Sequence, residues 1–183
     1  MRPENINTVV HRWLLEEIDS ESVVIDATMG NGFDTLFLAQ NAQKVYAFDI
    51  QEEALEHTRE KVKDCSNVTL ILASHAKMDC YVKEAVDAVI FNLGYLPKGD
   101  ESITTRWEST FVAIKKALAL LKEGKCLFLV FYIGHSEGAR EHSEFLKILP
   151  ELKNARVERS YTYEDRHDAP VLYQIRKVLD QIA

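Results

Sequence analysis

Residues 23–39 read VVIDATMGNGFDTLFLA. The β-branched run at Val23, Val24 and Ile25 has the composition of a buried strand. It empties into Asp26, then into a turn through Gly30 and Gly32, and then into apolar residues at helical spacing. Glycine lets the backbone approach a ligand closely, and a helix start offers amide hydrogens with no partner inside the helix. A strand, a glycine turn and a helix in that order open a βαβ unit and predict an α/β fold with a mostly parallel sheet.

Working outward from this stretch, apolar β-rich segments recur at 44–48, 68–72, 88–91 and 126–133, with helical patterns between most of them. Upstream, Ile6, Val9, Val10, Trp13, Leu14 and Ile18 recur at helical spacing and predict an amphipathic helix lying on the core. Downstream, Trp107, Phe111, Ile114, Leu118 and Leu121 form one apolar stripe. Thr105 and Glu108 are placed to act as its capping box and Gly124 as its terminator. Lys115 and Lys116 occupy the opposite, solvated face. A further helix is predicted near 137–149. The segments 157–163 and 171–178, joined by EDRHDAP, read as an antiparallel hairpin. Five parallel strands followed by a hairpin predict a doubly wound, mostly parallel seven-stranded sheet. That is the Rossmann-like class I methyltransferase arrangement, as against the all-parallel dinucleotide fold.

The chain has 183 residues, 46% of them hydrophobic and 28% charged, with no repeat, low-complexity run or linker. One domain over residues 1–183 is therefore expected, with a substantial core. The longest apolar stretch, near Cys126, is far shorter than the ~18 residues needed to cross a bilayer. The opening MRPENINTVVHRW has no secretory pattern, and a cytoplasmic location is expected. Cys65, Cys80 and Cys126 are odd in number with no paired spacing, so neither a disulfide framework nor a metal site is expected. A formal net charge of −7 argues against indiscriminate affinity for nucleic acid, although a local basic patch can still hold one.

A dinucleotide site would place a third glycine near Thr35 and a pyrophosphate over the helix start. Here Asp26 and Asp34 bracket a turn that includes Thr28, Gly30, Asn31, Gly32 and Thr35. Carboxylates repel a pyrophosphate and attract the ammonium and sulfonium of S-adenosylmethionine, so the sign of the charge favours that cofactor over NAD. The second strand ends at Asp49, where an acid can accept both hydroxyls of a ribose. Gln51 either contacts ribose or adenine or faces solvent as a helix-start residue. Ser74 and His75, after the third strand, fall where an adenine edge would lie, or simply close a turn.

The fourth strand runs into FNLGYLPKGD, at the carboxyl end of the sheet where this fold class places its chemistry. Methyl transfer to an amine needs a nucleophile held in line, with its lone pair free and its hydrogens accepted by oxygens. The side-chain oxygen of Asn92 suits that role, and Tyr95 suits stacking on a flat base. The alternatives are an Asn closing a turn and a Tyr filling the core. His135, in FYIGHSEG, is a further catalytic candidate or a structural histidine. Asp100 reads as a polar loop residue.

DATMGNGFDTLFLA, NLGYLP with the following GD, and YIGH together resemble the small bacterial methyltransferases known as rRNA methylases, in order and over nearly the whole chain. The resemblance implies S-adenosyl-L-methionine as cofactor. It also implies tRNA as substrate, through the exocyclic amine of 5-aminomethyl-2-thiouridine at the wobble position of the anticodon loop, and a homodimer. It implies cofactor roles for Asn31, Asp34, Asp49, Gln51, Ser74 and His75 and substrate-side roles for residues 92–97. Lys98 departs from the family's usual glycine, and EDRHDAP from its Asn-rich turn with two prolines. Three functions stay open on these residues: a tRNA amine methyltransferase, an rRNA or small-molecule methyltransferase, and a nucleotide-binding module without catalysis.

Overall fold

A computed structural model of the chain describes residues 4–94 and 104–179. In chain order the elements are α1 (Ile6–Leu15), β1 (Val23–Asp26), α2 (Phe33–Asn41), β2 (Lys44–Asp49), α3 (Glu52–Lys61), β3 (Val68–Leu72), a 3-10 turn at His75–Lys77 leading into the short α4 (Met78–Tyr81), β4 (Val86–Leu93), α5 (Trp107–Leu120), β5 (Leu121–Phe131), α6 (Ser136–Ile148), a second 3-10 turn at Leu149–Glu151, β6 (Ala155–Tyr161) and β7 (Val171–Lys177). The seven strands form one sheet in the order β3-β2-β1-β4-β5-β7-β6. The first five strands are mutually parallel, and β7 runs antiparallel to both β5 and β6. The α/β class, the strand set and the C-terminal antiparallel pair agree with the expectation from sequence.

The strands bury both faces by strict alternation, the period-2 consequence of the pleat. Leu127, Leu129 and Phe131 of β5 join Val89 and Phe91 of β4 on one face, under Ala113, Ile114 and Ala117 of α5 and Phe145 of α6. Phe128 and Val130 join Ala88 and Ile90 on the other, under Val9, Val10, Trp13 and Leu14 of α1 and Leu38 of α2. Each of the larger of these side chains, the Val, Leu, Ile and Phe, contributes roughly 1.5–3 kcal/mol by leaving water. The start of α1 is fixed locally, because the Asn5 side chain accepts the Asn7 N–H at 2.9 Å and so satisfies one orphan donor.

Two local expectations are corrected. Gly124 does not end α5: the helix stops at Leu120 and the chain passes straight into β5, where Gly124 has φ +74°. Val86 pairs with Leu121 and Ala88 with Cys126, so the polar residues between them bulge out of the ladder, and glycine takes the left-handed turn this requires. Nor do Thr105 and Glu108 cap α5. Arg106 stands at the N-cap, the Thr105 hydroxyl donates to the buried Glu141 carboxylate of α6 at 2.7 Å, and Glu108 pairs with Arg140. A buried carboxylate draws hydroxyl donors more strongly than a solvated helix end does. Thr110 supplies a second such donor to Glu141 at 2.6 Å, which joins α5 to α6.

Among the described residues no helix is long and apolar enough to cross a membrane.

Candidate functional site

β1 pairs with β2 on one side and β4 on the other, so the chain reverses its winding direction between β1 and β4. A crevice opens outside the carboxyl ends of strands at such a switch point. Here it is a cleft of about 1470 Å³. Its walls include Thr28 to Asn31 of the turn after β1, Asp49 to Gln51 after β2, Ser74 and His75 after β3, Asn92 and Gly94 at the end of β4, and Tyr132 and His135 after β5. Five predicted strand ends thus meet in one place.

The turn after β1 is organised from beneath. Gly32 caps α2 with φ +81°, and a Cβ there would lie 2.9 Å from Thr58 of α3, so only glycine lets the two helices approach. Asp49 reaches across from β2, accepting the Gly30 N–H at 3.1 Å and the Gln51 N–H at 3.0 Å. Those bonds hold its carboxylate upright in the cleft wall. Burial raises the Asp49 pKa, against the pull of the backbone N–H groups of Gln51, Gly30 and Ile50. Gln51 is the N-cap residue of α3, and Asn31 meets His57 at 3.0 Å.

Asp26, Gly32 and Thr35, expected among the cofactor contacts, do not line the cleft. Asp26 is fully buried, accepting the Thr35 hydroxyl at 2.6 Å and the Thr28 N–H at 3.1 Å. Burial, reinforced by the neighbouring Asp34 charge, raises its pKa to about 8. The two carboxylates therefore divide the work: Asp26 braces the turn and Asp34 faces the cleft. The sign of this shift has a consequence for stability. The folded state keeps the Asp26 proton between the ordinary value of 3.8 and about 8, where the unfolded chain has released it. Stability must then fall as pH rises through that window. Asp26→Asn, with nothing to titrate, should flatten the decline, which urea-denaturation midpoints at several pH values will read. An equally steep decline in the variant would remove Asp26 as its source.

After β3, Ser74 caps the 3-10 turn by accepting the Ala76 N–H at 3.2 Å. His75 Nδ1 donates to the Ala27 carbonyl at 3.1 Å, and burial lowers its pKa to about 4. It is a neutral imidazole whose Nε2 can only accept. His135 is the N-cap of α6, its Nδ1 accepting the Gly138 N–H at 3.2 Å, and it lines the cleft beside Tyr132 and Gly134. His135 thus has both a structural place at a helix start and a position in the cleft wall.

At the end of β4 the Asn92 amide is held on several sides. Its Nδ2 donates to Asp34 Oδ2 at 3.2 Å and to Asn7 Oδ1 at 3.3 Å, while its backbone N–H donates to Thr28 Oγ1 at 2.7 Å. A carboxylate only accepts, so the atom facing Asp34 must be the amide nitrogen, and the Oδ1 turns the other way. Asn7 also accepts the Tyr132 hydroxyl at 3.4 Å, and burial pushes the Tyr132 phenol up to about 12. Tyr95, Pro97, Lys98 and Asp100 lie outside the described residues. The chain returns at Thr105, whose N–H donates to the Gly94 carbonyl at 2.9 Å. The segment EDRHDAP supplies Arg166, Asp168 and Pro170 to the cleft wall.

Asn7, Tyr132 and His11, whose Nε2 meets Asp34 Oδ1 at 2.6 Å, were not singled out from sequence. The available signal was the pair Asn7 and His11, polar residues one turn apart beside an apolar stripe.

A 40% identical stretch of 151 residues is shared with the chloroplastic tRNA (mnm(5)s(2)U34)-methyltransferase of Arabidopsis thaliana, covering 73% of this chain and 54% of that protein. The chain thus spans about half the length of that relative. A solved structure described as "a putative methyltransferase from streptococcus mutans in complex with SAH" superposes with a TM-score of 0.87 at 40% identity, covering 96% of this chain and 99% of its own. An rRNA methylase from Streptococcus thermophilus superposes with a TM-score of 0.81 at 34% identity, covering 97% and 99%. The model of the family described as "Putative rRNA methylase" matches residues 45–176, and with strand order, cleft and relatives in agreement, the chain belongs to that family.

Proposed function

We propose that the protein is an S-adenosyl-L-methionine-dependent methyltransferase that methylates the exocyclic amine of 5-aminomethyl-2-thiouridine at the wobble position of tRNA. The observation that carries this reading is one cleft with Asp49 at one end and the braced Asn92 amide at the other. The donor set fits the cofactor. Asp49 presents an acceptor suited to ribose hydroxyls, Asp34 a carboxylate suited to a cationic group, and Gly30, Asn31, Gln51, Ser74 and His75 line the same wall. When bound, S-adenosyl-L-methionine supplies a methyl group on a positively charged sulfur, which a neutral amine takes up as a C–N bond forms, the C–S bond breaks and the amine proton leaves to water.

The protein's part is positional. Asn92 Oδ1 accepts a hydrogen of the incoming amine and leaves its lone pair directed at the methyl. Tyr132 and Asn7 border the same end, and Arg106 and Arg166 stand in the wall where a phosphate backbone would pass. Recognition of unstacked loop bases relies on stacking and edge hydrogen bonds, which an acidic protein can provide. The substrate of the Arabidopsis relative, as its name states it, supports the choice of tRNA. A single domain over residues 1–183, working as a cytoplasmic homodimer on the anticodon loop, belongs to the same proposal.

The test supplies unmethylated tRNA and methyl-labelled cofactor, then digests the product to nucleosides. Label should appear in the wobble nucleoside. Label found instead in rRNA or in a small metabolite would replace this reading with the broader methyltransferase one.

A further inference from the structure

The end of α1 nearest the cleft carries Asn7 and, one turn later, His11. The two side chains reach the same group from different directions. Asn7 accepts one amide hydrogen of Asn92, while His11 grips Asp34, which accepts from the same amide nitrogen. Asp34 thus has one oxygen on His11 Nε2 at 2.6 Å and the other on Asn92 Nδ2 at 3.2 Å. The His11 ring is itself fixed, stacked on Phe37 of α2 with centroids 3.9 Å apart and planes 7° from parallel. Both partners of the short contact are largely out of solvent, their side chains 23% and 8% exposed. Hydrogen bonds to a carboxylate in such a place are short and strong.

We infer that His11 is a positioning residue for methyl transfer, fixing the Asn92 amide through Asp34 so that its oxygen is presented to the acceptor amine. The inference rests on the proposed role of Asn92. The chain of contacts has one direction. His11 Nε2–H donates to Asp34 Oδ1, and Asn92 Nδ2–H donates to Asp34 Oδ2, so a carboxylate with both oxygens committed cannot rotate without breaking a bond. Without the His11 donor, Asp34 is free to turn toward water or toward a bound cation, and the Asn92 amide keeps only the longer contact to Asn7 Oδ1, itself a reorientable amide, to distinguish its nitrogen from its oxygen. An amide that can flip presents N–H to an amine half of the time, which repels the hydrogens it should accept. His11 itself does not line the cleft, so its effect passes through another residue.

Two variants separate the ring from the donor. His11→Phe keeps a ring against Phe37 and removes the donor, whereas His11→Gln gives up the ring and keeps an N–H near the Nε2 position. The first measurement needs no substrate. In the ligand-free protein, the Asn92 side-chain amide protons should exchange slowly and give two well-separated NMR resonances. His11→Phe should speed that exchange and draw the resonances together, and His11→Gln should preserve them. Unchanged Asn92 signals in His11→Phe overturn the inference. The second measurement is turnover on the methyl-accepting tRNA. His11→Phe should lower kcat by about 10- to 100-fold with little change in the KM for cofactor, and His11→Gln should recover most of the loss. A fall confined to cofactor KM, or altered Asn92 signals with normal kcat, also overturns it. Should His11→Phe fail to fold, His11→Leu serves as the second donor-free variant. If Asn92→Ala keeps full turnover, the proposed role of Asn92 fails, while the amide signals still decide whether His11 holds it.

Discussion

Asn92→Ala should reduce turnover by about 100-fold or more while leaving cofactor affinity close to wild type. The residue sits at the end of β4, where its backbone N–H donates to Thr28 and its side-chain Nδ2 donates to Asp34 and Asn7, so both the strand end and the amide are held. Such bracing suits a group whose effect depends on orientation more than on affinity. A sharper variant is Asn92→Asp. It keeps an oxygen where the amide oxygen stood but places a second carboxylate against Asp34, which has nothing to donate. The repulsion should displace the side chain, and turnover should fall at least as far as in the alanine variant. Steady-state rates on tRNA with calorimetric cofactor titrations provide the check. Normal kcat in Asn92→Ala would take the acceptor end of the cleft away from this residue.

Asp49→Ala is expected to weaken S-adenosyl-L-methionine binding by about 100-fold, since hydrogen bonds to a charged acceptor are worth about 1.5–3 kcal/mol each. Part of that loss is indirect, because Asp49 also holds the Gly30 and Gln51 backbone donors. Asp49→Asn divides the two contributions. Its single carbonyl oxygen can keep one of the backbone bonds but offers no charge to a ribose, so its affinity should fall between wild type and alanine. Calorimetry measures both, with thermal denaturation as a control for folding. Wild-type affinity in Asp49→Ala would exclude this residue from the cofactor site.

The sheet was legible because its strands are apolar on both faces, so β1, β2, β4 and β5 stand out as runs. The beginning of β5 was hidden for the opposite reason: Lys122, Glu123 and Lys125 project from a bulge and break the run. That Asp49, Asn92 and the glycine turn share one cleft could be read in advance because strand ends in this fold class meet at the switch point. The distinction between Asp26 and Asp34 was not available from sequence. All four residues of β1 are buried, so no alternation marks which way Asp26 points, and only the third dimension places Thr35 above it. His11 and Asn7 were missed because they lie 23 residues from Asp34 and 85 from Asn92 along the chain, with no motif linking them.

The placement of β7 bears on how the chain is made. In sequence β7 follows β6, yet in the sheet it lies between β5 and β6. A polypeptide growing from its amino end therefore reaches Tyr161 with β6 lacking any neighbour and with the β5 backbone unpaired along one side. Both wait for residues 171–177. Until those residues arrive, the nascent protein exposes an apolar strand of the kind that joins other chains edge to edge. Closure then comes in one event, with β7 zipping against two strands at once through contacts distant in sequence, which are slow to form. Synthesis that stalls short of residue 171 should thus leave an aggregation-prone intermediate in place of a slightly shortened folded protein.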